Sequence, residues 1–337
     1  MSHYRIGSIG CGSIAAANAG ALLALPGTEV IAGAEVNPEN AKKFQEQFYV
    51  PKMYTDYREM LKNESLDIVC VGTWPRTHCE ATVMAAKSGV KGVMCEKPMA
   101  VNLDEADRMI ATCDEHGVVL AIGHQHRFSS QSTKARELLD AGEIGHPVLL
   151  WGHCGLDLMN NGSHVVDLLN YFNADEPAEW VMGQIDRRSK REGHHNHPDM
   201  PVEDMAIGHV KYRNGVEAVI ELGDWGPQEF RFRLMGTNGI IDVNVPGGPE
   251  ILVLSTKTTG WYAPQIDRSL HGRVAEMREM LAAIEEKREH LSSGRRARAA
   301  IEIIMGIFES SRRRALIECP VEVKDFVLER MIEEGII

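Results

Sequence analysis

Through the first third of the chain, short β-branched and apolar runs alternate with longer amphipathic stretches. YRIGSI, EVIAGA, DIVCVG, GVMCEK and VVLAIG have the near-continuous apolar character of strands buried on both faces, and the stretches between them repeat with helical period. The spacing predicts a helix over 13–25, stopped by Pro26 and Gly27. A second is predicted over 102–116, opened by Asn102 and Glu105 in capping-box relation and closed at Gly117. This extended βαβαβ order is that of a parallel sheet wrapped by helices.

After a helix predicted over 132–141 the pattern changes. EWVMGQIDRRS, AIGHVKYRNG, VEAVIELGDW and FRFRLMGTNGIIDVNV alternate with period two, and Arg213-Asn214-Gly215 is a hairpin signal, so this half reads as a mostly antiparallel sheet. Two closing helical patterns, 274–289 and 295–313, have apolar faces that could pack across that sheet or back on the first domain. No internal repeat is found.

The length, 337 residues, suits two cores. The formal charge of −12 leaves no basic face for a nucleic acid or an anionic lipid surface, so neither is expected as a partner. No apolar run is long enough to span a bilayer, and MSHYRIGSIG enters a strand without a basic and apolar leader, so a cytoplasmic protein is expected. Seven cysteines without a CxxC pair are read as reduced, mostly buried thiols.

Candidate chemistry begins at Gly10-Cys11-Gly12-Ser13-Ile14-Ala15, a GxGxxA string directly after a strand and at the start of a helix. Gly10 allows the tight turn, Gly12 lets a pyrophosphate approach the backbone, and Ala15 permits close packing of helix on strand; the helix start around Ser13 and Ile14 offers N–H donors. Glu35, 25 residues after Gly10 at the end of the second strand, can accept hydrogen bonds from both ribose hydroxyls and would repel a 2′-phosphate. Val36 and Asn37 supply no cation to hold such a phosphate, so NAD is expected over NADP. The first 123 residues are therefore read as a dinucleotide-binding Rossmann domain, and 124–337 as an α+β domain for substrate binding and oligomerisation.

Glu96-Lys97-Pro98 follows the run GVMC and so lies at the carboxyl end of a strand, where ligands bind in open α/β sheets. Oxidising an alcohol needs a base within hydrogen-bond reach of the hydroxyl. Burial beside a positively charged nicotinamide favours the neutral amine that Lys97 would need, against the plainer reading of a loop lysine paired with Glu96.

The combination GCGSIA, Thr73-Trp74-Pro75-Arg76-Thr77-His78, Glu96-Lys97-Pro98, Gly123-His124-Gln125-His126-Arg127-Phe128, Gly142-Glu143-Ile144-Gly145, NNGSHVVDLLNYF, EFRFRLMGTNGIIDV and FESSRRR resembles the Gfo/Idh/MocA family across nearly the whole chain. The family is named for glucose-fructose oxidoreductase, inositol dehydrogenase and MocA. The resemblance implies that Lys97 and His164 lie on the substrate side of the nicotinamide, with Thr73, Pro75, His78, Glu96 and Arg127 near the cofactor. An imidazole can exchange protons at cellular pH, and Asp167, three residues on, could orient the His164 ring. One departure is Asn160, where the family usually has an aspartate four residues before the histidine. An amide can hold a hydroxyl but does not titrate, which leaves Lys97, His164 or water to move the proton.

The substrate class, a sugar, glycoside or cyclitol with a secondary alcohol, comes from the resemblance; Gln125, His126, Arg127 and Asn160 are side chains compatible with such a polyhydroxylated ligand. Two alternatives stay open: a glycosidase or lyase that retains its NAD and oxidises the sugar transiently, and a non-catalytic nucleotide sensor, against which Lys97 and His164 argue. The histidines at 194, 195 and 197 lack a spaced fourth ligand, so no metal is expected. An open face of the second sheet is expected to build a homodimer or homotetramer.

Overall fold

The apolar runs are strands. In chain order come β1 (Tyr4–Ile9), α1 (Ser13–Leu23), β2 (Thr28–Ala34), α2 (Pro38–Phe48), β3 (Lys52–Tyr54), α3 (Tyr57–Asn63), β4 (Ile68–Val71), α4 (Pro75–Lys87), β5 (Gly92–Cys95), α5 (Leu103–Glu115) and β6 (Val119–Ile122). The computed structural model describes residues 3–192, 200–223, 228–269 and 272–337. The six strands are parallel, in the order β3-β2-β1-β4-β5-β6, the Rossmann arrangement. β4 and β5 are buried along their whole length, as continuous apolar runs require. β3 adds a sixth strand to the five legible in the sequence.

The helix ends follow from their capping chemistry. α1 stops at Leu23, before Pro26, and Gly27 takes a left-handed conformation (φ 80°) that turns the chain into β2. The Asn102 side chain accepts the Glu105 amide at 2.8 Å, while Glu105 reaches back to the Val101 amide at 3.4 Å; the box is shifted by one residue from its usual form.

A 3-10 turn (Gln125–Phe128) leads to α6 (Ser130–Asp140), β7 (Pro147–Cys154), a π-helical turn (Leu158–Gly162), α7 (Ser163–Phe172), β8 (Ala178–Asp186), β9 (Met205–Tyr212), β10 (Glu217–Gly223), β11 (Arg231–Gly236), β12 (Gly239–Val243) and β13 (Ile251–Ser255). α8 (Gly272–Glu286), α9 (Gly294–Arg313), β14 (Ile317–Glu318) and α10 (Val327–Glu333) complete the chain.

The chain forms two compact units, Met1–Gln125 with Leu270–Arg298, and His126–Ser269 with Ala299–Ile337. A single boundary at 123/124 therefore needs correction, because α8 returns to the first unit. Its apolar face explains why: Met277 and Met280 share a core with Ile6, Leu22, Ile68 and Met94, and a Cβ on Gly92 of β5 would lie 2.3 Å from Met280.

The second unit is built on an eight-stranded sheet, β13-β12-β11-β7-β10-β9-β8-β14, in which every pair is antiparallel except β7 with β10. The expected hairpin joins β9 to β10, with Gly215 at φ 89°. Helices cover one face closely enough to need glycine beneath them: a Cβ on Gly152 would lie 2.8 Å from Val165 of α7, and one on Gly208 would lie 2.5 Å from Ile307 of α9. The short β14 pairs with only part of β8, and the amides of Gly183 and Ile185 beyond it donate instead to the Ser310 and Ser311 hydroxyls at 2.9 and 3.2 Å. The sheet edge is closed by α9.

Candidate functional site: a nucleotide turn and an imidazole cluster

The glycine turn of the first unit has the geometry a pyrophosphate needs. Gly10 has φ 84°, and a Cβ there would lie 2.7 Å from the Gly72 carbonyl oxygen and 3.1 Å from Thr73. Gly12, the cap of α1, faces open space, no side chain caps the helix, and its first turn carries no acid. The amides around Ser13 and Ile14 are thus left for an anion. Ala15 packs against Gly72 at the end of β4, where a Cβ would meet it at 3.2 Å, so both residues must be small.

Glu35 closes the other side of that turn. One carboxylate oxygen accepts the Cys11 amide at 2.8 Å and the other accepts the Asn37 amide at 2.9 Å, which fixes the group at the end of β2 with lone pairs to spare. The Cys11 thiol is pushed up to about 12, by burial first and by Glu35 second, so it is packing and not a nucleophile. This donor set, amides beside a glycine and a carboxylate at the end of β2, fits a dinucleotide.

After β4, Thr73 lies in the loop before α4 and Pro75 is the first residue of that helix, with the Thr77 hydroxyl donating to Thr73 Oγ1 at 2.7 Å. His78 is buried and bridges two loops, its Nδ1 2.9 Å from the Pro98 carbonyl oxygen and its Nε2 3.0 Å from that of Thr73. Lys97, half-buried, follows β5 and precedes a cis proline.

The Glu96 carboxylate behind it sits in a closed cradle. It accepts from Asn18 of α1 at 3.0 Å and Arg273 of α8 at 2.9 Å, and from the Lys97 amide at 3.3 Å, while a Cβ on Gly123 would lie 2.9 Å from it. Sequence reading missed Asn18 and Arg273. Only the return of α8 to this unit brings Arg273 to the motif. The side-chain oxygen of Gln125 is buried without a protein donor among the described residues, an acceptor suited to a ligand hydroxyl.

In the second unit, two candidate imidazoles meet. The His126 ring lies edge-on to His164 with centroids 4.6 Å apart, and Phe230 packs against both, at 4.6 and 5.7 Å. Phe230, just before β11, lies in the EFRFRLMGTNGIIDV stretch, but nothing in the sequence singled it out as a residue of the site. Asn160 is buried in the π turn, its amide donating to Asp157 at 2.9 Å and its carbonyl accepting from the Ser163 hydroxyl at 2.7 Å.

Arg127, expected near the cofactor and substrate, is buried in a charge network with Asp167 and Asp175. Its guanidinium donates to both oxygens of Asp167 at 2.8 Å and to both of Asp175 at 2.7 and 3.0 Å. Burial alone would lower its pKa, but the two carboxylates outweigh burial and hold it above its usual value. Asp167, expected to orient the His164 ring, gives both oxygens to this pair. The histidine loop of 194–197 lies outside the described residues. Among those described, no helix is long and apolar enough to cross a membrane.

Residues 4–124 match the family model described as an oxidoreductase family with an NAD-binding Rossmann fold, and 154–242 match that of the GFO/IDH/MocA C-terminal domain. A myo-inositol 2-dehydrogenase of Thermotoga maritima is 34% identical over 146 residues; the alignment takes in 43% of each chain, so the match spans less than half of that relative. A D-apiose dehydrogenase of Rhizobium rhizogenes is 24% identical over 319 residues, covering 87% of this chain and 89% of the other. A solved levoglucosan dehydrogenase, in complex with NADH and levoglucosan, superposes with a TM-score of 0.84 at 19% identity, over 95% of this chain and 100% of that one, a likeness of fold.

Proposed function

Because the chain belongs to the Gfo/Idh/MocA family of oxidoreductases with an NAD-binding Rossmann fold, we propose that it transfers a hydride between a nicotinamide cofactor and a secondary alcohol of a sugar, glycoside or cyclitol. The observation that carries this reading is the uncapped glycine turn held against Glu35, in the same unit as the cradled Glu96-Lys97 pair. Relatives that act on inositol and apiose support the substrate class.

The cofactor, when bound, supplies the hydride acceptor or donor. The remaining work falls to the chain. Amides at Gly12, Ser13 and Ile14 bind the pyrophosphate, and Glu35 takes the ribose hydroxyls, which favours NAD over NADP. Thr73, Pro75 and His78 shape the cofactor's edge. Lys97 takes or returns the hydroxyl proton as hydride leaves or arrives at the carbon, and His164 is the second proton carrier. Gln125, His126 and Asn160 bind hydroxyls, and Arg127 supports them through its pair with Asp167.

A second copy of the chain is the proposed partner. The sheet face of the second unit away from the helices carries exposed Met182 and Ile207, and a groove lined by Leu149, Trp151, Val219 and Met235. Arg233 and Asp242 beside it offer both signs of charge to a self-complementary contact. Light scattering that returns a monomer at micromolar concentration would contradict this. The cytoplasm is the proposed compartment: no disulfide joins the seven cysteines.

Direct transfer is tested with a substrate deuterated at the carbinol carbon. Reduced cofactor carrying the deuterium supports the reading, and reduced cofactor without it refutes direct hydride transfer.

A further inference from the structure

Behind the turn that carries Asn160 lie two acids that no motif singled out. Asp157 and Glu203 are 3% and 1% exposed. The Asp157 carboxylate accepts the Asn160 amide at 2.9 Å, and the Glu203 carboxyl accepts the Leu158 amide at 2.5 Å, so both hold the same π turn. The Gly162 amide closes that turn onto the Asp157 carbonyl at 2.9 Å, and the chain continues directly into α7 and His164. A π turn replaces the regular i→i−4 bonds with i→i−5 ones and is frequent at functional sites.

The other oxygen of Glu203 has no hydrogen-bond partner among the described residues. Such an oxygen costs less as a neutral O–H than as part of an anion. Burial first, and the charge of Asp157 second, push Glu203 up to about 8. The cations on this side are Arg191, which donates to the Glu203 carbonyl at 3.0 Å and pairs with Asp204 at 3.2 Å, and Arg187, which donates to the Val202 carbonyl at 3.2 Å.

We propose that Glu203 is a positioning residue for the substrate half-site: through the Leu158 amide its carboxyl holds the π turn that carries Asn160 and leads into His164, and loss of its proton sets a second buried charge against Asp157, which holds the same turn, and so loosens it. This rests on the assignment of Asn160 and His164 to the substrate.

The full chain is compared with Glu203→Gln, which keeps a neutral acceptor for the Leu158 amide, and with Glu203→Leu, which removes it. The Leu158 amide favours the anion but is outweighed by burial and Asp157, so the arrangement free of carboxylate repulsion is complete at low pH and is lost as pH rises through about 8. The wild type should lose kcat/KM over that rise and the Gln variant should not. The Leu variant should raise KM about tenfold while NADH affinity, read by fluorescence, stays within about twofold of the wild type. The same alkaline fall in the Gln variant, or an unchanged KM in the Leu variant, overturns the proposal; should the Leu variant not fold, the Gln profile decides.

If no sugar or cyclitol is turned over at all, it is the functional reading that fails, and amide hydrogen exchange over 158–162 then decides on Glu203. Exchange that accelerates above pH about 8 in the wild type, relative to the Gln variant, supports the proposal. Matching exchange in the two refutes it.

Discussion

Arg127 and Asp167 form a two-bond ion pair, both contacts 2.8 Å, with both side chains nearly sealed from solvent. Burying a guanidinium is costly unless carboxylates surround it, and here Asp175 supplies the second. Asp167→Asn removes one charge from a closed set. It should destabilise the protein by about 3–5 kcal/mol, read as a fall in Tm, with a larger loss than Asp175→Asn, whose carboxylate is partly solvated.

Glu96 is held by Asn18 and Arg273 and leaves no space for a side chain on Gly123. Arg273→Met should therefore lower kcat about tenfold or more by loosening Lys97, while NADH affinity measured by fluorescence changes little. Gly123→Ala should act in the same direction, because its Cβ would press on the carboxylate.

Glu35 accepts from Cys11 and Asn37 and should reject a 2′-phosphate. Glu35→Ala should weaken NADH binding by about tenfold and bring NADPH closer to it in parallel fluorescence titrations. An unchanged preference would mean that another group reads the ribose.

His290 is buried, its Nδ1 accepting the Ser292 amide at 2.9 Å and its Nε2 donating to the Glu276 carbonyl at 3.1 Å. Burial pushes it down to about 4, from an ordinary 6.5. The unfolded chain therefore binds a proton that the native state refuses, and stability falls as pH drops from about 6.5 to about 4. Thermal unfolding of His290→Gln across that window should show a shallower fall than the wild type.

The parallel sheet was legible because buried strands read as continuous apolar runs, and the glycine string because its strand-to-helix setting was visible with it. Lys52–Tyr54 escaped as a strand: three residues, with a polar first position, carry no period. The apolar face of 274–289 was readable but its destination was not, since only the packing of Met280 over Gly92 decides it. The same limit hid Arg273, a residue 177 positions from Glu96. His126 and His164 were both named from the chain, yet their edge-on contact, and the packing of Phe230 against both, are products of tertiary packing.

The most direct test of the account mixes purified wild type and Lys97→Ala with NAD and a panel of sugars, glycosides and cyclitols, following reduced cofactor and consumed substrate together. The account requires that at least one panel member be oxidised with one reduced cofactor formed per substrate, and that Lys97→Ala bind NAD normally but lose this turnover. Substrate consumed in excess of the cofactor without net reduction, or turnover undiminished in Lys97→Ala, would contradict it.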